Sequence, residues 1–210
     1  MNKFLLIIFL LVTIPAVGQE VYLESGKTFA SFDFTDSQGN QLENLQPNAN
    51  HYIAFGYRNG ILFDNLYAST GISLSGYGAI GSDDGLGNFM QWDVNYIDFN
   101  GSLDYEIIKA GDFAFYVKGQ LTLAFMVQGN QTINNQVINL RDVDEFNKTV
   151  LDTRFGGGFS YLIYRYLSFY VQYMYGKTWS PNVVTSFGGN LEDLRISSHN
   201  IGLGLRIVIE

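Results

Sequence analysis

Residues 200–209 read N-I-G-L-G-L-R-I-V-I, and the two sides of this stretch differ in character. Ile201, Leu203, Leu205, Ile207 and Ile209 share one side of an extended chain, and Asn200, Gly202, Gly204, Arg206 and Val208 share the other. A period of two specifies a strand rather than a helix. The aliphatic side carries no polar residue. It must therefore face either the core of a soluble sandwich or the lipid around a membrane barrel.

Seven earlier segments alternate in the same way, at 28–36, 51–58, 66–80, 91–108, 113–128, 153–164 and 167–177. The longest sets Phe113, Phe115, Val117, Leu121, Leu123, Phe125 and Val127 against Tyr116, Lys118, Gln120, Thr122 and Gln128. In the first, Ala30, Phe32 and Phe34 are expected on the lipid side and Ser31 and Asp33 opposite. In the fourth, Trp92 and Val94 fall out of phase with Ile97, Phe99, Leu103, Tyr105 and Ile107, which implies a β-bulge near Tyr96. Long connections (37–50, 81–88, 129–148, 180–194) alternate with short ones (59–65, 109–112, 165–166). Transmembrane barrels sort their connections this way, with tight turns on one rim and longer loops on the other.

The chain begins with a short basic tip and an apolar run over 4–17, then Ala16-Val17-Gly18, so residues 1–18 read as a cleaved secretory signal peptide. No apolar run of spanning length follows, which excludes a helical membrane protein. Cysteine is absent, and an exported chain without it is no disulfide scaffold. A net charge of −8 argues against nucleic acid as a partner and against docking on anionic surfaces. The expected architecture is all-β, an eight-stranded antiparallel up-and-down transmembrane β-barrel over 19–210. Both mature termini should then lie on the periplasmic side.

The side opposite the aliphatics carries Asp33, Arg58, Asp98, Asp104, Glu106, Lys118, Arg154 and Arg206. Eight strands enclose a lumen that side chains can fill, so these charges are expected to pair across it and leave no open channel. Asp104 should lie opposite or diagonal to Lys118 across the turn at 109–112. Tyr57, Trp92, Tyr105, Tyr161, Tyr164, Tyr166, Tyr175 and Trp179 lie near strand ends and read as the two interfacial girdles.

On these features the chain resembles the small outer-membrane β-barrel proteins of Gram-negative bacteria, the group of OmpX-like and OmpA transmembrane barrels often labelled porin family. The sharpest likeness is Asn200-x-Gly202-x-x-Leu205-x-Ile207, which is similar to the final-strand signal read by barrel-insertion machinery. The resemblance implies a bacterial outer-membrane location. It also implies contact with outer-membrane lipid, the insertion machinery as a partner during biogenesis, and an extracellular or envelope protein as a further partner.

The expected role is non-catalytic, serving envelope integrity or surface interaction through the long loops, with no cofactor. The alternatives are a narrow porin-like barrel for small or apolar solutes and a surface lipid-modifying enzyme. For the enzyme, His51 and His199 could meet Asp36, Ser37, Ser197 and Ser198 at the outer rim, a His activating a Ser hydroxyl. Asp83-Asp84-Gly85 and Asp142-x-Asp144-Glu145 are carboxylate clusters without the ligand spacing of a calcium loop. Gly156-Gly157-Gly158 precedes no helix. It is expected to make room for aromatic neighbours rather than to hold a phosphate.

Overall fold

The computed structural model describes residues 19–35, 45–61, 63–83, 88–142, 149–179 and 193–209. Nine strands follow in order: β1 (Gln19–Thr35), β2 (Gln46–Gly60), β3 (Leu66–Asp83), β4 (Asn88–Ala110), β5 (Phe113–Ile133), β6 (Gln136–Asn139), β7 (Val150–Tyr164), β8 (Leu167–Trp179) and β9 (Asp193–Ile209). Each pairs antiparallel with its neighbours. The order β4-β3-β2-β1-β9-β8-β7-β5 closes through β4–β5, and the short β6 hangs from β5 beyond the wall. The result is a closed eight-stranded barrel. Among the described residues no helix is long and apolar enough to cross a membrane.

The register fixes the shape. From Glu20 the partners run through Arg58, Ser69, Ser102, Gln120, Arg154, Gly176 and Ser198, returning to β1 at Ala30. One circuit therefore advances ten residues along β1. For eight strands that stagger requires a tilt of about 40° to the barrel axis, the range of closed barrels.

The wall is inverted relative to a soluble protein. Leu23, Phe55, Ile72, Leu74, Phe99, Leu103, Leu121 and Leu203 stand exposed around the outside, Leu203 at 53%, while the inward side is mostly polar. A continuous apolar band of this extent is stable against hydrocarbon and not against water. Three of the links are tight: Ala110 pairs with Phe113, and Tyr164 with Leu167, each across two residues, while Gly60 pairs with Tyr67 across six. These turns and both ends of the barrel chain (Gln19 and Ile209) lie at one rim, called the turn end. The other rim is the loop end.

Several expectations change. β1 starts at Gln19, not at Thr28, and its faces are reversed. Ala30 and Phe32 are buried inside, and Asp33 is exposed outside, in register with Arg195. The reason is local: near the loop end the lumen is apolar, so an apolar residue there marks the inside. The same reason turns Trp92 and Val94 inward, which takes Trp92 out of the girdle; β4 alternates from Trp92 to Glu106 without a slip. The bulge exists, but on the partner strand. Asn95 pairs with Gln128 and Tyr96 with Met126, so Val127 is the extra residue, and Gln128 is exposed. A second irregularity at Glu106/Ile108 sits beside the Ala110–Phe113 turn. The connection after β5 is not featureless either. Asn134 and Asn135, both at positive φ, turn the chain into β6, and a 3-10 turn at Leu140–Asp142 follows.

Candidate functional site

The lumen is where the charged side chains converge, and alternation in the strands puts them there. At the turn end Arg58 is the centre. Its Nη1 donates to Glu20 Oε2 at 2.7 Å, its Nε to Asp104 Oδ2 at 3.1 Å and its Nη2 to Glu106 Oε1 at 3.3 Å. The guanidinium carbon also lies 3.5 Å from the centre of the Tyr67 ring. Asp104 and Lys118 are direct register partners, with Nζ 3.9 Å from Oδ1, longer than the bond Asp104 receives from Arg58. Arg206 takes no carboxylate partner among the described residues. It lies between the rings of Tyr170 and Tyr116, at 4.3 and 4.9 Å.

Midway along the axis Glu24 is buried without a cation. Its carboxylate accepts from the Tyr52 hydroxyl, from Tyr170 at 2.7 Å and from Gln172 Nε2 at 2.8 and 2.9 Å to its two oxygens. Neutral donors here replace the water shell of the anion, which is what keeps its burial tolerable. Tyr116 donates to Gln172 Oε1 at 3.1 Å and locks the amide's orientation. A cavity of about 20 Å³, room for a single water, lies between Glu24, Asn100, Lys118 and Arg154.

Towards the loop end Arg154 joins two environments. Its Nε donates to Asp152 Oδ2 at 2.6 Å and its Nη2 to the Tyr77 hydroxyl at 2.7 Å, with Asp98 Oδ2 at 3.6 Å. Asp98, 0% exposed, also accepts from Ser75 at 2.5 Å and Ser73 at 3.1 Å. Above Tyr77 the lumen becomes apolar. Ala30, Phe32, Ala79, Trp92, Val94, Tyr96, Ala124, Leu140 and Ile196 pack together, with Leu45, Met90, Met126 and Val150 around them. Leu140 arrives from the 3-10 turn after β6 and acts as a stopper in the mouth.

Of the eight charges read from the sequence, Arg58, Asp98, Asp104, Glu106, Lys118, Arg154 and Arg206 are buried inside, and Asp33 is not. Sequence reasoning missed Glu20, Glu24 and Asp152. Glu20 and Glu24 precede the point where the first strand was expected to begin, though they share the even-numbered phase of Thr28, Ala30 and Phe32. Asp152 lies one residue before the expected start of its strand.

Asn200 is also a lumen residue, accepting from Thr28 at 2.8 Å. At Gly202 a Cβ would collide with the Tyr52 hydroxyl and Glu24, so that position must stay bare for the Glu24 site to exist. Leu205 and Ile207 face outward. Gly158 leaves the space that the Tyr116 hydroxyl occupies.

His51 and His199 both face outward on strands separated by β1. Nε2 of His51 lies 2.6 Å from Lys27 Nζ, and Nδ1 of His199 lies 2.7 Å from the Tyr173 hydroxyl. Ser198 points into the lumen, on the opposite face from His199. The signal-peptide segment, Asp36, Ser37, Asp84, Gly85, Asp144 and Glu145 lie outside the described residues. Among those described, no group of His, Cys, Asp or Glu has the geometry of a metal site.

No protein-family model matches the chain, and no curated protein matches its sequence. Solved structures do match its shape. Neisserial surface protein A superposes with a TM-score of 0.56 at 12% identity, over 93% of this chain and 100% of that one. OprG from Pseudomonas aeruginosa matches at 0.48, with 13% identity over 91% and 97% of the two chains. Ail from Yersinia pestis matches at 0.44, with 10% identity over 91% and 100%. The fold is that of a small outer-membrane β-barrel protein. Fold alone assigns no activity.

Proposed function

We propose that the protein resides in the bacterial outer membrane with its turn end towards the periplasm, and that it works there without catalysis. Its role is structural or interactive, carried by the wall and the loop end rather than by passage through the lumen. The observation that carries this reading is the filling of the lumen along its length. Arg58 and its three carboxylates occupy the turn end, Glu24 with Tyr52 and Tyr170 the middle, and the cluster around Trp92 and Leu140 the loop end. Eight strands leave no spare width around such contents. The outward band of Leu, Ile and Phe supports lipid as its surroundings. The pattern Asn200, Gly202, Leu205, Ile207 supports contact with the insertion machinery during assembly.

The test is electrical. Purified protein refolded into planar bilayers is expected to give no steady conductance. A stable channel recorded from several preparations would overturn this reading in favour of transport.

A further inference from the structure

The outer surface holds a polar row at a height where the opposite wall is apolar. Lys27 on β1 is in register with His51 on β2, Phe29 with His199 on β9, and Ser197 with Lys177 on β8. At this level four adjacent strands thus each present a basic, outward, exposed side chain, offset by no more than two residues from strand to strand. The strand tilt converts these offsets into positions near one height. On the opposite wall, following the same circuit, the corresponding height is occupied by Leu74, Phe99 and Leu123.

On these strands the outward carboxylate among the described side chains is Asp33, which lies nearer the loop end and opposite Arg195. Below the row the surface is Ile53, Ile201 and Leu203; beside it are Tyr173 and Tyr175, whose rings lie 6.0 and 5.2 Å from that of His199. Lys27 Nζ is 2.6 Å from His51 Nε2, and an ammonium, which can only donate, has two N–H groups beyond the one this contact uses.

We propose that this row binds the phosphate of an anionic lipid headgroup in the loop-side leaflet, the acyl chains lying on the aliphatic surface below. The proposal rests on the membrane reading above. Charge decides the occupant: two ammonium groups and two imidazoles at the edge of an apolar band, without an outward carboxylate at their level, complement a phosphomonoester. A second copy of this chain would bring the same cations against themselves.

The molecule carries its own reporter. Trp179 is 57% exposed, two residues from Lys177 on the same face, whereas Trp92 is buried in the lumen. The full protein is refolded into phosphatidylcholine vesicles containing a few mole per cent of brominated phosphatidic acid, or of brominated phosphatidylcholine. Bromine quenches tryptophan only on near contact. Several-fold stronger quenching by the phosphatidic acid is expected, falling to equality in a Lys27→Gln, Lys177→Gln double variant. His51→Gln with His199→Gln serves as a second variant, and each is checked for the heat-resistant folded band.

Equal quenching by the two lipids in the unmodified protein overturns the proposal, as does a preference that survives in both folded variants. A dimer that native mass spectrometry finds free of lipid also overturns it, in favour of self-association. Quenching by neither lipid would instead show that the wall is not in the bilayer, and so overturn the membrane reading itself.

Discussion

The two halves of the lumen are closed by opposite physics. Around Arg58 the turn end is filled by ions whose contacts are directional, so each partner specifies the next. Around Trp92 the loop end is filled by apolar side chains that exclude water without naming partners. Arg154 stands at the join, bonded to Asp152 on one side and to the Tyr77 hydroxyl of the apolar cluster on the other. Among the described residues, the buried carboxylate oxygens without a hydrogen-bond donor are on Asp98, Asp104 and Asp152, all in the polar part. That part is consequently intolerant of losing a cation. The apolar part should respond to lost volume.

Removing the hub tests the contrast most severely. Arg58→Ala leaves Glu20, Asp104 and Glu106 facing one another without their shared cation, and a loss of about 3–5 kcal/mol is expected. Urea-dependent refolding into lipid vesicles, read by the shift of the folded band, measures it. A loss below the threshold of that assay would mean that water reaches these carboxylates and that the turn end is not a sealed ionic plug.

In the apolar half, Ile196→Ala removes volume from a well-packed cluster and is expected to cost about 2–5 kcal/mol. Its distinguishing mark is insensitivity to salt. Raising ionic strength should leave the Ile196→Ala deficit unchanged, whereas any part of the Arg58→Ala deficit exposed to solvent should shrink. An Ile196→Ala deficit that changed with salt would show that charge, and not lost volume, governs the loop end.

The mildest change is expected at Arg206, which stacks between Tyr116 and Tyr170 and pairs with no carboxylate among the described residues. Arg206→Gln should cost about 0.5–2 kcal/mol, the worth of a desolvated cation over aromatic rings. A penalty equal to that of Arg58→Ala in the same refolding series would show that Arg206 neutralises lumen carboxylates at a distance.

How much could be read beforehand follows the same division. On β9 and in the middle of β5 the lipid-facing side is aliphatic and the inward side is polar, so alternation revealed both the strand and its orientation. Leu203, Leu205 and Lys118 stand where the pattern implies. At the loop end both sides of the wall carry apolar residues, and hydrophobicity no longer separates inside from outside. Phe32, Trp92 and Asp33 were assigned to the wrong faces for that reason. Glu24 went unrecognised because its neighbours Val21, Tyr22 and Leu23 blur the alternation, and because its partners Tyr170 and Gln172 are brought to it only by β9 and β8.

The sequence by itself determined the eight strands of the wall, apart from the start of β1, the three short links between them, and the outward apolar band away from the loop end. Each of these is a periodic or local property, set by which side chains alternate along a short run of backbone. The closure of β4 onto β5, the ten-residue stagger, the ligands of Arg58 and Glu24, and the row of Lys27, His51, His199 and Lys177 were decided only by the tertiary structure. They depend on the register between strands distant in the chain. A shift of one residue there would turn every inward side chain outward.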